Sequence, residues 1–155
     1  GDMVKHAFKS AWAGLLGQRK EVERRAQIAA ICYRETPQGR EVLLITSRDT
    51  KRWIVPKGWP IDGLDGPASA LQEAWEEAGV RRADITHVPL GTYTYDKRLR
   101  SGDLLPVEAT AYLAQVTELA DHFPEVSERT RKWVTPAQAA DMVAEPELRD
   151  ILCAL

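Results

Sequence analysis

Apolar and polar positions along the chain predict a mixture of strands and helices. Val4, Phe8, Trp12, Leu15 and Leu16 fall on one stripe at helical spacing, which predicts an amphipathic helix over 4–18. A charged stretch from Gln18 to Arg25 follows it. Residues 26–33 form an apolar run that reads as a buried strand, and 41–46 form a second. Pro37-Gln38-Gly39 between them is turn chemistry, so the two runs predict a hairpin. A third short strand is predicted over 53–55, ended by Pro56 and Gly58. The clearest helix is 67–78: Asp65 or Gly66 can cap it, Pro67 suits its first turn, and Gly79 suits the left-handed position past its end. Beyond it, 85–95 and 107–116 read as strands separated by a polar loop, Trp133-Val134 as a short strand, and 136–143 and 146–155 as helices. The elements lack a regular βαβ rhythm. The fold class expected is therefore α+β, an α/β/α arrangement around a mixed sheet and not a Rossmann pattern.

Composition narrows the field. The chain has 155 residues, 44% hydrophobic and 28% charged, which is the balance of one ordinary globular domain. Its 21 Lys plus Arg against 23 Asp plus Glu give a net charge of −2, so total charge makes no case for nucleic acid or an anionic membrane as a partner. No apolar run approaches the roughly 18 residues of a membrane-spanning helix. The first residues carry no apolar segment followed by a small-residue cleavage site, so no secretory signal is expected. Gly1-Asp2 ahead of Met3 reads as an expression remnant, leaving 3–155 as a single domain. Cys32 and Cys153 have no metal-ligand spacing, and Cys32 lies in an apolar run, so a buried reduced thiol is expected there. Reduced thiols without an export signal point to the cytoplasm or another reducing compartment.

The chemistry concentrates on the 67–78 helix. At about 100° per residue, Glu76 and Glu77 fall some 60° and 40° to either side of Glu73, so the three share one face. Leu71, Ala74, Trp75 and Ala78 fall opposite and are expected to pack on the sheet. Glu73 and Glu77 are a like-charge i,i+4 pair near the end of a helix whose dipole disfavours anions, so the arrangement costs stability unless a cation neutralises it. Three oxygen donors on one face match a hard divalent ion, Mg²⁺ or Mn²⁺. The glutamates alone leave open a solvated acidic helix face. The preceding segment, Trp53-Ile54-Val55-Pro56-Lys57-Gly58, runs from a strand into a loop able to bring backbone carbonyls to a metal and Lys57 to a phosphate.

Residues 58–80 resemble the Nudix box, G-x5-E-x7-R-E-U-x-E-E-x-G-U with U aliphatic, and align with it without a gap. Gly58, Glu73, Glu76, Glu77, Gly79 and Val80 match, and Ala74 is a small variant of the aliphatic position. Leu64 stands where the pattern has its first Glu and Gln72 where it has Arg. With both members of that pair replaced, neither is left without its partner, and Gln72 retains an amide to donate to a carboxylate. The approach to the box is most similar to the diphosphoinositol polyphosphate and diadenosine polyphosphate hydrolase branch.

The resemblance implies a Nudix-like α/β/α sandwich and an Mg²⁺-dependent hydrolase of a diphosphate linked to another moiety. In that reading Glu73, Glu76 and Glu77 hold the metal with the Gly58 carbonyl, a late-loop carboxylate, Glu125 or Glu128, joins them as base or ligand, and the proton of the attacking water goes to one of the box glutamates or to Glu125 or Glu128. Lys57, Arg48, Arg52, Arg98 and Arg131 are the candidate contacts to phosphate, and Trp59 a candidate wall of the substrate cleft. Each of these also has a plain reading as a solvated surface side chain. His6, His87 and His122 are isolated and expected to be structural. The expected partner is a small diphosphate or polyphosphate, with the chain a monomer or, through the N-terminal stripe, a homodimer. A Nudix-like binding or regulatory domain without catalysis is the alternative that Leu64 and Gln72 favour.

Overall fold

The computed structural model describes residues 23–155, so the 4–18 helix expected from the sequence lies outside the described residues. An eight-stranded mixed sheet carries one helix on one face and two on the other. The strands are β1 (Arg25–Thr36), β2 (Gly39–Thr46), β3 (Trp53–Ile54), β4 (Lys57–Gly58), β5 (Val80–Ile85), β6 (Gly91–Arg98), β7 (Leu104–Leu119) and β8 (Arg131–Val134). The helices are α1 (Gly66–Ala78), α2 (Pro136–Met142) and α3 (Pro146–Cys153). This is the α+β sandwich expected. No helix among the described residues is long and apolar enough to cross a membrane.

The main path of the sheet is β3-β2-β1-β7-β5. Its centre is β1, paired antiparallel with β2 through the 36–39 turn and parallel with β7 from Arg25↔Val107 to Tyr33↔Gln115. Alternation along β1 explains the unbroken apolar run. Ala29 and Ile31 face α2 and α3 with Val42, Leu44, Tyr93, Leu148 and Leu152, whereas Ala30 and Cys32 face α1 with Leu43, Ile45 and Ala114. Cys32 is fully buried, and that burial pushes its thiol up to about 12, as suits a packing residue.

Two sequence expectations change. The single strand expected over 85–95 is replaced by β5, which ends at Ile85 and whose first five residues carried no strand expectation, and β6, which starts at Gly91; they lie end to end along the same edge of β7, joined by a bend at 86–90. At 16 residues β7 is long enough to pair with both. The stripe by which α1 meets the sheet is Ala70, Ala74 and Ala78, all fully buried, while Leu71 and Trp75 are only half-buried at its flank. A stripe without bulk brings the helix close to the strands. It thereby draws Glu77, one position before the last of these alanines, into the interior.

Both ends of α1 are fixed as the sequence implies. Asp65 accepts a hydrogen bond from Ala68 N at 2.8 Å, and Gly79 takes φ 73° as its N–H closes on Ala74 and Trp75 carbonyls. A Cβ at Gly79 would also come within 2.5 Å of Phe123 and 2.6 Å of Arg131. Gly79→Ala is therefore expected to cost roughly 1–3 kcal/mol in urea unfolding, from the strained backbone and the displaced neighbours. An unchanged denaturation midpoint would show that the left-handed turn is not what ends the helix.

Candidate active site

Three segments of distant sequence meet beside the C-terminal half of α1. The first is β4, a two-residue strap paired with β1 through Ile28↔Gly58 and Ala29↔Lys57. It presses Gly58 against Glu73 so closely that a Cβ there would lie 2.4 Å from the carboxyl carbon. The same strap donates Lys57 N to Glu77 Oε1 at 3.2 Å. The second is α1 itself. The third is the loop from 120 to 130, pinned to the helix by Glu125 N donating to the Glu76 carbonyl at 3.0 Å.

Within this junction the charges are arranged asymmetrically. Glu77 is only 7% exposed. Burial pushes its carboxyl up to about 8; Arg129 opposes the rise and Glu73 adds to it. Glu73 is also raised, by burial first and then by the charges of Glu76 and Glu125. Arg129 is the central cation: Nε donates to Glu125 Oε1 at 2.7 Å, Nη1 to the Thr46 carbonyl at 3.0 Å, and Nη2 lies 3.9 Å from Glu77 Oε2. Burial pulls the Lys57 ammonium down to about 8 against the fields of Glu77 and Glu145, which hold it up. Its Nζ sits 5.0 Å from the centre of the Tyr95 ring, whose hydroxyl donates to Gln27 Oε1.

Gly58, Glu73, Glu77 and Glu125 border a cavity of about 260 Å³ with Lys57 and Arg129. Arg48, Lys57, Tyr95, Lys97 and Arg129 also line an adjoining chamber of about 550 Å³ that extends to Arg52, Arg98 and Glu145. Of the candidates named from the sequence, Trp59 borders the small cavity, 5.3 Å beneath the Arg25 guanidinium, and Arg52 and Arg98 line the chamber. Three candidates lie elsewhere. Arg131 donates to the Ala78 carbonyl at 2.7 Å and the Ala120 carbonyl at 2.8 Å; it closes the C-terminus of α1 and has no part in the cavity wall. Glu128 forms an exposed pair with Arg48 at 3.2 Å. Glu76 accepts from Gln72 Nε2 at 2.7 Å and does not line the cavity. Gln27, Tyr95, Lys97, Arg129 and Glu145 complete the walls. The signal for Gln27 was a polar residue inside an apolar strand, buried to 3% exposure, whereas Glu145 carried no signal in the sequence.

The donor set suits a hard divalent cation. Oxygen ligands are available from Glu73, Glu77, Glu125 and the Gly58 backbone around one cavity, and Gly58 is the residue without a side chain to fill it. The grip is incomplete in this arrangement. Among the described residues no three His, Cys, Asp or Glu side chains are gathered into a ready cation site, and Glu76 is bonded to Gln72.

Comparison with known proteins follows the same lines. The family model described as NUDIX domain matches residues 24–155. Over 116 residues, 72% of this chain and 63% of the relative, the sequence is 34% identical to Nudix hydrolase 16, mitochondrial, of Arabidopsis thaliana. Over 105 residues, 66% of this chain and 51% of the relative, it is 29% identical to Nudix hydrolase 12, mitochondrial, of the same plant. The chain thus spans between half and two thirds of the length of these curated relatives. Both are named mitochondrial, which overturns the expectation of a cytoplasmic compartment. The fold is similar to that of the C. elegans Ap4A hydrolase, with TM-score 0.64 and 20% identity over 84% of this chain and 95% of that one. It is also similar to the NUDIX domain of Shewanella oneidensis NrtR complexed with ADP ribose, with TM-score 0.62 and 18% identity over 94% and 95%.

The raised carboxyls fix the sign of a pH effect. Without a cation, Glu77 keeps its proton in the fold up to about pH 8, while the unfolded chain loses it near the ordinary 4.5. Its contribution to stability is thus complete below 4.5 and lost as pH rises through 8. A cation needs the ionised form and competes with that proton. The rise in melting temperature produced by Mg²⁺ or Mn²⁺ over EDTA should therefore widen from pH 5.5 to pH 8. Glu77→Gln should flatten that dependence. Equal widening in the variant would place the cation elsewhere.

Proposed function

The chain belongs to the Nudix family, and from that premise we propose that it is an Mg²⁺- or Mn²⁺-dependent hydrolase of a diphosphate linked to another moiety. The observation that carries this reading is the juxtaposition of a carboxylate-lined cavity with a larger chamber rich in Arg and Lys, sharing one wall. A cation at the first and a polyphosphate chain across both is the occupancy that balances the charges. The similar folds of the C. elegans Ap4A hydrolase and of the NrtR NUDIX domain in complex with ADP ribose support substrates of the nucleoside-diphosphate type.

Glu73, Glu77 and the Gly58 carbonyl are the residues that would hold the cation, with Glu76 joining once released from Gln72. The cation, when bound, polarises phosphoryl oxygens and acidifies water. The remaining chemistry belongs to the chain. Glu125 has one oxygen fixed by Arg129 at 2.7 Å, which leaves the other to accept a proton from the attacking water. Lys57, Arg48 and Lys97 stand at the junction of the two spaces, where they offset the negative charge that grows on the leaving phosphate. Arg129 does not reach for substrate in this scheme: its three contacts hold Glu125 and Glu77 in position.

A non-catalytic binding domain is favoured by one specific observation, the 2.7 Å bond that ties Glu76 to Gln72, the residue standing where the Nudix box has Arg. Hydrolysis of a diphosphate panel with Mg²⁺ or Mn²⁺ separates the two. On any diphosphate that is cleaved, Glu77→Gln and Glu125→Gln should each lower kcat by roughly 10²-fold or more with a smaller change in KM. Lys57→Ala should instead raise KM, and more so for longer phosphate chains. A Glu77→Gln enzyme with wild-type kcat at saturating Mg²⁺ would remove the basis of the hydrolytic reading.

Releasing Glu76 gives an independent check. Gln72→Leu breaks its hydrogen bond and should tighten apparent Mg²⁺ binding, read as a lower Mg²⁺ concentration for half-maximal thermal stabilisation. Weaker binding in this variant would mean that Gln72 orients Glu76 toward the cation instead of restraining it.

A further inference from the structure

Glu145 is a buried acid that the hydrolytic scheme leaves unused. It stands at the N-cap position of α3, where an acid ordinarily bonds the first free N–H groups, yet its side chain makes no capping bond. It turns into the wall of the 550 Å³ chamber instead. The side chain is 8% exposed. One oxygen lies 3.7 Å from Arg52 Nη1, and the other is the buried side-chain atom without a hydrogen-bond partner among the described residues. A carboxylate held this way costs stability and projects a field that solvent screens poorly. That field is felt by Lys57, whose ammonium it supports, and by Tyr93 and Tyr95, whose hydroxyls it raises further after burial has done so.

The chamber is consequently divided. Its lining includes six cations, Arg48, Arg52, Lys57, Lys97, Arg98 and Arg129, and three acids. Two of the acids, Asp49 and Asp96, are exposed, so Glu145 is the one whose charge acts within the interior. At its end, Glu145 offsets Arg52 and part of the charge of Lys57. At the other end, next to the carboxylate cavity, Lys97 makes no salt bridge among the described residues, and Arg48 is held only by an exposed pair.

We propose that Glu145 is a specificity-determining residue: it confines phosphate to the Arg48–Lys97 end and reserves its own end for an uncharged part of the substrate. Rejection comes from the like charge that any further phosphate would meet there, which leaves that end to a substituent without charge. Among diphosphates linked to another moiety, this selects a neutral sugar or nucleoside as the second substituent over a ring crowded with phosphomonoesters. The substrate part of this inference rests on the hydrolase reading. The charge division does not, and the test is built on that difference.

Inorganic tripolyphosphate, titrated calorimetrically in EDTA at fixed ionic strength, reads the chamber without catalysis. Glu145→Gln should bind it roughly tenfold more tightly than wild type, because Arg52 and Lys57 are released for phosphate. Glu145→Ala removes the same charge and covers the case in which the glutamine variant melts below the assay temperature. The gain should disappear in Glu145→Gln/Arg52→Gln, a non-additive cycle expected only if the two charges are coupled. Unchanged or weaker tripolyphosphate binding in both Glu145 variants overturns the assignment. With Mg²⁺, the ratio of kcat/KM for ADP-ribose to that for 5-diphosphoinositol pentakisphosphate should fall about tenfold in Glu145→Gln. An unchanged ratio overturns the substrate preference. If no protein cleaves either compound while the tripolyphosphate gain persists, the hydrolase reading fails and the role of Glu145 as the dividing charge stands.

Discussion

Glu77 is buried beside Glu73, a like charge one turn earlier, and the rest of the site is arranged around making that tolerable. Two adjacent carboxylates in a desolvated setting cannot both stay ionised unless something positive shares the space, and the helix supplies nothing. Arg129 arrives from a loop far along the chain from Glu77 and divides its guanidinium among Glu125, the Thr46 carbonyl and Glu77. It moderates the clash without cancelling it, as the persistently raised Glu77 carboxyl shows. The residual imbalance is the thermodynamic opening for a cation, because an ion that replaces a proton there relieves repulsion the protein has left in place.

The order of elements was legible in the sequence because burial period and turn chemistry agree at almost every boundary. The hairpin, the capped helix and the two final helices are where Pro, Gly and the apolar runs imply. The break at 86–90 was signalled by Pro89 and Gly91, but Thr86 and Leu90 both bond to β7, so the two strands continue one edge and the run passes for one strand. The Nudix box identified Gly58, Glu73 and Glu77 for a physical reason: their spacing on one helix and one strap fixes their meeting. Arg131 misled, because a cation near a helix end in space cannot be told from a cation facing substrate when the two differ only in tertiary position. Glu76 shares the helix face that the periodicity implies, but its 2.7 Å bond with Gln72 depends on rotamers, which periodicity does not resolve.

The alanine stripe of α1 links fold to chemistry. Ala70, Ala74 and Ala78 carry no rotamers to misplace, so the helix sits close and stiffly on Ala30, Cys32 and Ala114. A bulkier stripe would lift the helix from the sheet and lift Glu77 out of its buried setting with it. Packing density and carboxyl acidity are therefore two readings of one spacing. The chamber beside it obeys the opposite rule: it is open, polar and lined from five separate stretches of chain, a construction that permits its charges to vary while the cavity beneath stays fixed.

The parallel pairing of β1 with β7 joins residues 25–33 to 107–115, and the site then draws on residues as late as Glu145. Contacts of such long sequence separation form slowly, because a large loop must close before they can contribute. During synthesis, the hairpin of β1 and β2 and the helix α1 would emerge and fold locally while the glutamates still lacked Arg129. Until the last fifth of the chain has been made, the acidic face is no more than a repulsive helix surface with weak affinity for ions. The carboxylates and the cation that moderates them therefore come together only when the long-range contacts close, so a cation would meet the complete donor set at the end of folding and not at its start.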